Sequence, residues 1–208
     1  MLLRAFRKAG ASAPARFARL AKKGALRARA GATNNDGVAA VEFALILPLM
    51  ITMFFGVVEV TQALLCRADV SVMASTAADL ISRESAATNT DLANIYAAAG
   101  TILYPYTGTP SIRITSVIYD PSTQSTTSGK FDWSCTQAGS GMLPAQSTTT
   151  VTLPTAMMPP NGSVIIADVA YGYASPTTKM FVGPITMTNS FWTKPRRVAQ
   201  ITKPASCT

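Results

Sequence analysis

Histidine is absent from all 208 residues of this chain. That removes the commonest general base, the usual partner of Ser and Cys nucleophiles, and the imidazole metal ligand, so an enzyme is not expected. Cysteine is scarce, with Cys66, Cys135 and Cys207 only, and their spacing matches no metal site. Acidic charge is scarce too: 10 Asp and Glu stand against 18 Lys and Arg, a net charge of +8. No internal repeat of about 20 to 50 residues is present, which excludes a solenoid or propeller.

The excess charge has a definite address. Nine Lys and Arg (Arg4, Arg7, Lys8, Arg16, Arg19, Lys22, Lys23, Arg27, Arg29) precede Gly37 with Asp36 as the one acid, and from Gly37 onward nine basic residues meet nine acidic ones. The leader reads either as a solvated basic tail or as a lipid-binding or targeting segment. Phe6 and Phe17 are its only aromatics, too few to interleave with the cations as a stacking surface, so nucleic acid is not an expected partner. No cofactor, metal or small-molecule substrate is expected either. Met50, Met53, Met157 and Met158 are scattered packing residues rather than a copper-binding set. A tethered hydrolase without histidine would need a pair such as Ser-Lys, and neither Lys179 nor Lys194 sits in such a motif.

What the chain does have is one long apolar run. From Phe43 to Val58, FALILPLMITMFFGVV carries no charge, and Thr52 is its one polar side chain. Extended back to Val38 the run has 21 residues, about 31 Å of helix, enough to cross the hydrocarbon of a bilayer. A buried core helix of a soluble protein is the alternative, but Pro48 and Gly56 are better tolerated in membrane helices. With nine cations ahead of it, the positive-inside rule puts the N-terminus in the cytoplasm and everything after about Val60 outside. The run is longer than a secretory signal and lacks its small-residue cleavage site, which favours a signal anchor.

Glu42 stands near the start of this run. A carboxylate in hydrocarbon costs about 3 kcal/mol even on lenient scales, so it calls for a partner. A cut between Gly37 and Val38 would create one, because the new α-ammonium of a neighbouring parallel helix, displaced axially by about one turn, would come within reach of Glu42.

The basic leader, Gly37, then VAAVEF with Glu42 and Phe43 at the fifth and sixth places after the cut, and the apolar helix behind them resemble the prepilin-peptidase signature of type IV pilins. The Glu-Phe pair, LILPLM and FFGVVEV with Glu59 resemble the TadE-like family, minor pilins or pseudopilins of Tad (tight adherence, type IVc) pili. Near the C-terminus, SVIIADVAYGYASP with Tyr171, Tyr173 and Pro176, followed by ITMTNSFWTKPRR, is similar to that family's closing strands. The resemblance implies a role in pilus assembly for surface adhesion. It also implies processing by a prepilin peptidase, contact with other Tad pilus subunits and the assembly platform, and residence in the inner membrane as a single-pass protein with a periplasmic C-terminal domain. An uncleaved membrane-anchored periplasmic scaffold or chaperone of the same machine is the alternative.

The remaining chain reads independently of the family. VTQALLCRADVSVMASTAADLISRES continues the helix to about residue 85, SAATNT breaks it, and Thr90 is the expected N-cap of DLANIYAAAGTIL, whose Leu92, Ile95, Tyr96 and Ala99 recur on one face. Strands are expected at Ser111–Tyr119, Thr148–Leu153, Ser163–Tyr173 and Ile185–Trp192, with a short one at Phe131–Cys135 and surface loops at Pro121–Gly129 and Gln137–Gln146. The fold class is therefore α+β: a long N-terminal transmembrane helix of pilin-like form, then a helix packed on a small antiparallel β-sheet head. Three regions follow: a basic cytoplasmic leader over 1–37, the transmembrane helix over 38–60 with its continuation, and an exterior α+β domain over 88–208. In an oxidising exterior Cys135 and Cys207 are expected to pair, while helix continuation should hold Cys66 away from the sheet, unpaired. Tyr171 and Tyr173 share a strand face as packing residues. Glu59 is expected to be solvated at the far interface, and Arg196 and Arg197 to form a solvated strand end.

Overall fold

The computed structural model describes residues 36–175 and 185–207; the leader before residue 36, Pro176 and Lys179 lie outside them. The chain divides into two compact units, one up to Phe54 and one over Phe55–Thr208, and a single helix, α1 (Asp36–Ser82), runs from the first into the second. In the first unit this helix is exposed on all sides. Its 18-residue apolar window has a mean hydropathy of 2.3, and by length and composition it can cross a membrane. Pro48 lies inside it, and the Thr52 hydroxyl donates to the Pro48 carbonyl at 2.8 Å. The one polar side chain of the run thus finds its acceptor within the helix, as hydrocarbon requires.

In the second unit, after α1 come α2 (Asn89–Gly100), a 3₁₀ turn (Thr101–Leu103), and strands β1 (Ser111–Ile118), β2 (Ser128–Gln137), β3 (Thr150–Thr152), β4 (Ser163–Tyr173) and β5 (Ile185–Thr193). The strands form one antiparallel sheet in the order β3-β2-β1-β4-β5. The fold is α+β with a transmembrane-like helix, the class read from the sequence. β4 is buried at every residue but Gly172, which explains its nearly continuous apolar run. On one sheet face Ile112, Ile114, Trp133, Ile165, Ala167, Val169, Tyr171 and Tyr173 meet the helices. α1 contributes Cys66, Val70, Met73, Ala74, Ala77, Ala78 and Ile81, a stripe at helical spacing whose three alanines let the helix approach the sheet closely. α2 adds Leu92, Ile95, Tyr96 and Ala99.

The opposite face buries Val117, Leu153, Met158, Val164 and Ile166. Beside them Arg113 pairs with Asp168 at 2.6 Å. Asp168 also accepts from Ser190 at 2.6 Å, and Arg113 donates to the Pro144 carbonyl at 2.8 Å. An ion pair this enclosed stands because its remaining hydrogen-bonding capacity is filled.

Three local expectations are corrected. The N-cap of α2 is Thr88, not Thr90: Thr88 Oγ1 accepts from the Asp91 amide at 3.1 Å and Asp91 returns a bond to the Thr88 amide at 3.2 Å. This reciprocal box needs an acid three residues on, which Thr88 has and Thr90 lacks. β2 runs well beyond Phe131–Cys135, taking in Ser128, Gly129 and Gln137 from the expected loops. A Cβ on Gly129 would lie 2.4 Å from Met158 and 2.8 Å from the Ile118 carbonyl, so this glycine serves close packing within a strand rather than a turn. Arg196 and Arg197 are exposed beyond the end of β5, as expected, but Arg196 is also tied back to α1, its side chain pairing with Asp79 and its amide donating to the Ser82 carbonyl at 2.8 Å.

Candidate functional site

Gly37, Val38, Glu42 and Phe43 all lie in the first turns of α1 and are exposed. A Cβ on Gly37 would meet nothing within 4 Å. Nothing in the described fold therefore demands glycine there, and any requirement must come from a molecule that handles the chain. Glu42 is the one acid between Gly37 and Val58. Val38, Val41, Phe43, Leu45, Ile46, Leu49, Met50, Met53 and Phe54 present a broad apolar surface around it. Such a surface is satisfied only by lipid or by other helices.

The second carboxylate of the helix behaves differently. Glu59, expected to be solvated, is fully buried, and Ser175 Oγ, just beyond β4, donates to its Oε1 at 3.2 Å. One turn on, the Gln62 carbonyl accepts from the Tyr106 hydroxyl at 2.9 Å, and the Tyr106 ring meets Tyr173 edge-on at 5.8 Å. Tyr171 donates to the Thr107 carbonyl at 2.6 Å. Burial pushes the Tyr106, Tyr171 and Tyr173 hydroxyls above their usual range. The carboxyl is enclosed at the sheet end, where the Ser175 hydroxyl reaches it, a closure made by residues distant in the chain. One signal was present: Glu59, Cys66, Met73 and Ile81 recur at near-heptad spacing, which puts the acid on the core stripe.

Cys66 departs from expectation in its surroundings. Helix continuation carries it into the core rather than away from the sheet, where it is fully buried as a free thiol. Burial first, then the nearby charge of Asp69, raises its pKa to about 11, which makes it inert as a nucleophile. Cys135 and Cys207 form a disulfide with a Cα–Cα distance of 5.1 Å. It fastens a C-terminal strap already held where the Ala87 amide donates to the Thr202 carbonyl at 3.1 Å and the Trp133 indole to the Ile201 carbonyl at 3.3 Å. Among the described residues no group of three or more Cys, Asp and Glu is placed to hold a metal.

These features define a class: a chain with one exposed apolar helix, long enough to span a bilayer, whose continuation is built into the core of a small antiparallel head. Residues 37–79 match the family model described as TadE-like protein. The match opens on Gly37, takes in Glu42, Phe43, Glu59 and Cys66, and ends near the close of α1; the C-terminal likeness around Tyr171 and Arg197 lies outside it. No curated protein and no solved structure matches, so the account of the head rests on its own geometry. The TadE-like match suggests a Tad pilus context and a membrane association.

Proposed function

We propose that this chain is a pilin-like minor subunit, a pseudopilin, that takes part in assembling a Tad-type pilus for surface adhesion. It sits in the inner membrane with its basic leader in the cytoplasm and its head in the periplasm. A prepilin peptidase cuts it between Gly37 and Val38, and α1 then packs with other pilus subunits and the assembly platform. Its work is helix packing rather than catalysis. The observation that supports this most is the TadE-like match, which begins at Gly37 in the first turn of α1 and covers a stretch to Val58 that is apolar, mostly exposed and charged at Glu42 alone. Removal of the leader takes away nine of the 18 basic residues and leaves a nearly neutral chain whose first turn carries both a new ammonium and a carboxylate.

Mass spectrometry of the N-terminus in membranes of a peptidase-competent host tests the reading. The expected product begins at Val38. A chain still beginning at Met1 would overturn the pseudopilin reading in favour of the uncleaved scaffold.

A further inference from the structure

The two ends of the sheet differ in chemistry. One end carries the last residues of β4, the start of β5, and the loops before β1 and after β2. Contacts with α1 fix its level along the helix: Ser175 reaches Glu59 and Tyr106 reaches the Gln62 carbonyl. Glu59 directly follows the uncharged run that ends at Val58, and Gln62 is about 4.5 Å further along the axis. This sheet end therefore lies level with the outer limit of the apolar run.

Outside α1, the large apolar side chains that stand exposed among the described residues are Tyr104, Met142, Ile185 and Phe191. Three of the four belong to this end. Tyr104, 86% exposed, is in the loop that Tyr106 and Thr107 tie to Gln62 and Tyr171. Met142, 82% exposed, follows Gly141, whose φ of +98° and close approach to the Tyr171 amide hold that loop against β4. The two loops are laced together where the Ser140 amide donates to the Thr109 carbonyl at 2.6 Å. Ile185, 44% exposed, pairs with Tyr173.

Charge follows the opposite pattern. Residues 100–110 and 137–149 contain no Asp, Glu, Lys or Arg. Lys130 opposite Ile118, Lys194 just after Thr193, which pairs with Ile165, Arg83 beyond the close of α1, and Asp120 in the turn after β1 stand at the far end, while Arg113, which reaches the Pro144 carbonyl of the second loop, is paired with Asp168, and Lys179 belongs to the β4–β5 connection outside the described residues.

We infer that this sheet end rests on the bilayer interface through its two uncharged loops, with Tyr104 and Met142, and Ile185 beside them, entering the headgroup region. The inference rests on the reading of α1 as membrane-spanning and goes beyond it, since a span needs no contact between head and lipid. A ring with an apolar body and a polar tip is favoured at that depth, and an exposed thioether and an aliphatic chain gain by leaving water. Absence of charge from both loops means that little hydration is lost on contact and that anionic lipid is not required.

Spin labels read the depth directly. Tyr104→Cys, Met142→Cys, Thr123→Cys at the far end and Leu49→Cys in the span are labelled one at a time in the full chain, where buried Cys66 and the bonded Cys135 and Cys207 stay unlabelled. Each is reconstituted sparsely in phosphatidylcholine vesicles, and collision with oxygen and with a water-soluble nickel chelate is measured. Positions 104 and 142 should be several-fold less accessible to the chelate than position 123 and more accessible to oxygen, unchanged by salt or added phosphatidylglycerol. If they match position 123 while position 49 reads hydrocarbon, the interface contact is wrong and the span stands. If position 49 itself reads water, both fall. Shielding from both probes that grows with protein density, or that needs anionic lipid, would also overturn the inference, in favour of a protein contact or an electrostatic one.

Discussion

Glu42 and Glu59 lie on the same helix, and their surroundings give them opposite roles. Glu42 is exposed among apolar side chains, so its partner must be brought by another molecule; Glu59 is enclosed and meets Ser175 within the chain. A hydrogen bond is worth about 0.5 to 1.5 kcal/mol net, and emptying the volume of a fully buried side chain adds the loss of its packing. Glu59→Ala should lower the stability of the detergent-solubilised chain by about 2 kcal/mol or more in denaturant titration, and Glu59→Gln, which keeps the volume and an acceptor, by less. A Glu59→Ala chain as stable as the native one would remove the case for an interior role. Cys66 offers a test through pH. Its folded pKa of about 11 lies above the value of 9.0 for an open thiol, so its contribution is present in full below pH 9 and is lost as pH rises toward 11. Unfolding midpoints should fall over that window in the native chain and less steeply in Cys66→Ala; parallel profiles would show that the thiol is not the cause.

Among the elements, α1 serves two purposes in sequence, and the C-terminal strap shows how the head keeps hold of it. The strap crosses the end of α1 through the bond from the Arg196 amide to the Ser82 carbonyl, pairs Ala86 with Thr202, and is closed by the disulfide. With the two cysteines 72 positions apart, loop-closure entropy gives the bridge a contribution of about 4 kcal/mol. Reduction, or Cys135→Ser, should therefore shift the denaturant midpoint markedly downward. In the untreated, denatured chain only Cys66 should accept an alkylating reagent. Three labelled thiols in that experiment would mean that the bridge does not form in the cell.

For the whole molecule the question is assembly, and Glu42 is the residue on which it turns. From the start of the cleaved chain it lies about 6 Å along the helix axis, shallow enough not to block insertion and deep enough to need a partner. Glu42→Ala should leave insertion and cleavage after Gly37 unchanged while reducing co-purification with other pilus subunits and surface attachment. Glu42→Asp, which keeps the charge and shortens the reach, should fall between. Loss of cleavage in Glu42→Ala would instead make the acid a feature read by the peptidase, and full assembly would make it incidental.

The sequence by itself determined what depends on local pattern. An uncharged run of bilayer length marks α1, β-branched residues between turn signals mark β1, β3, β4 and β5, and the span of β4 was legible to the residue because a strand buried on both faces is apolar nearly throughout, Ser163 and Asp168 being the polar exceptions. The Gly37 to Phe43 signature was legible as well, since it is a spacing along one chain and needs no folded partner. Tertiary structure alone decided which faces close on one another. Glu59 and Cys66 were misplaced because the sheet that buries them is built from residues distant in the chain, from Ser111 onward, and Gly129 was read as part of a loop because Met158, which with the Ile118 carbonyl leaves no room for a Cβ, is its neighbour only in the fold. Near-heptad spacing puts Glu59 on the stripe of Cys66 and Met73, but whether a carboxylate there is solvated or enclosed is set by what packs over it.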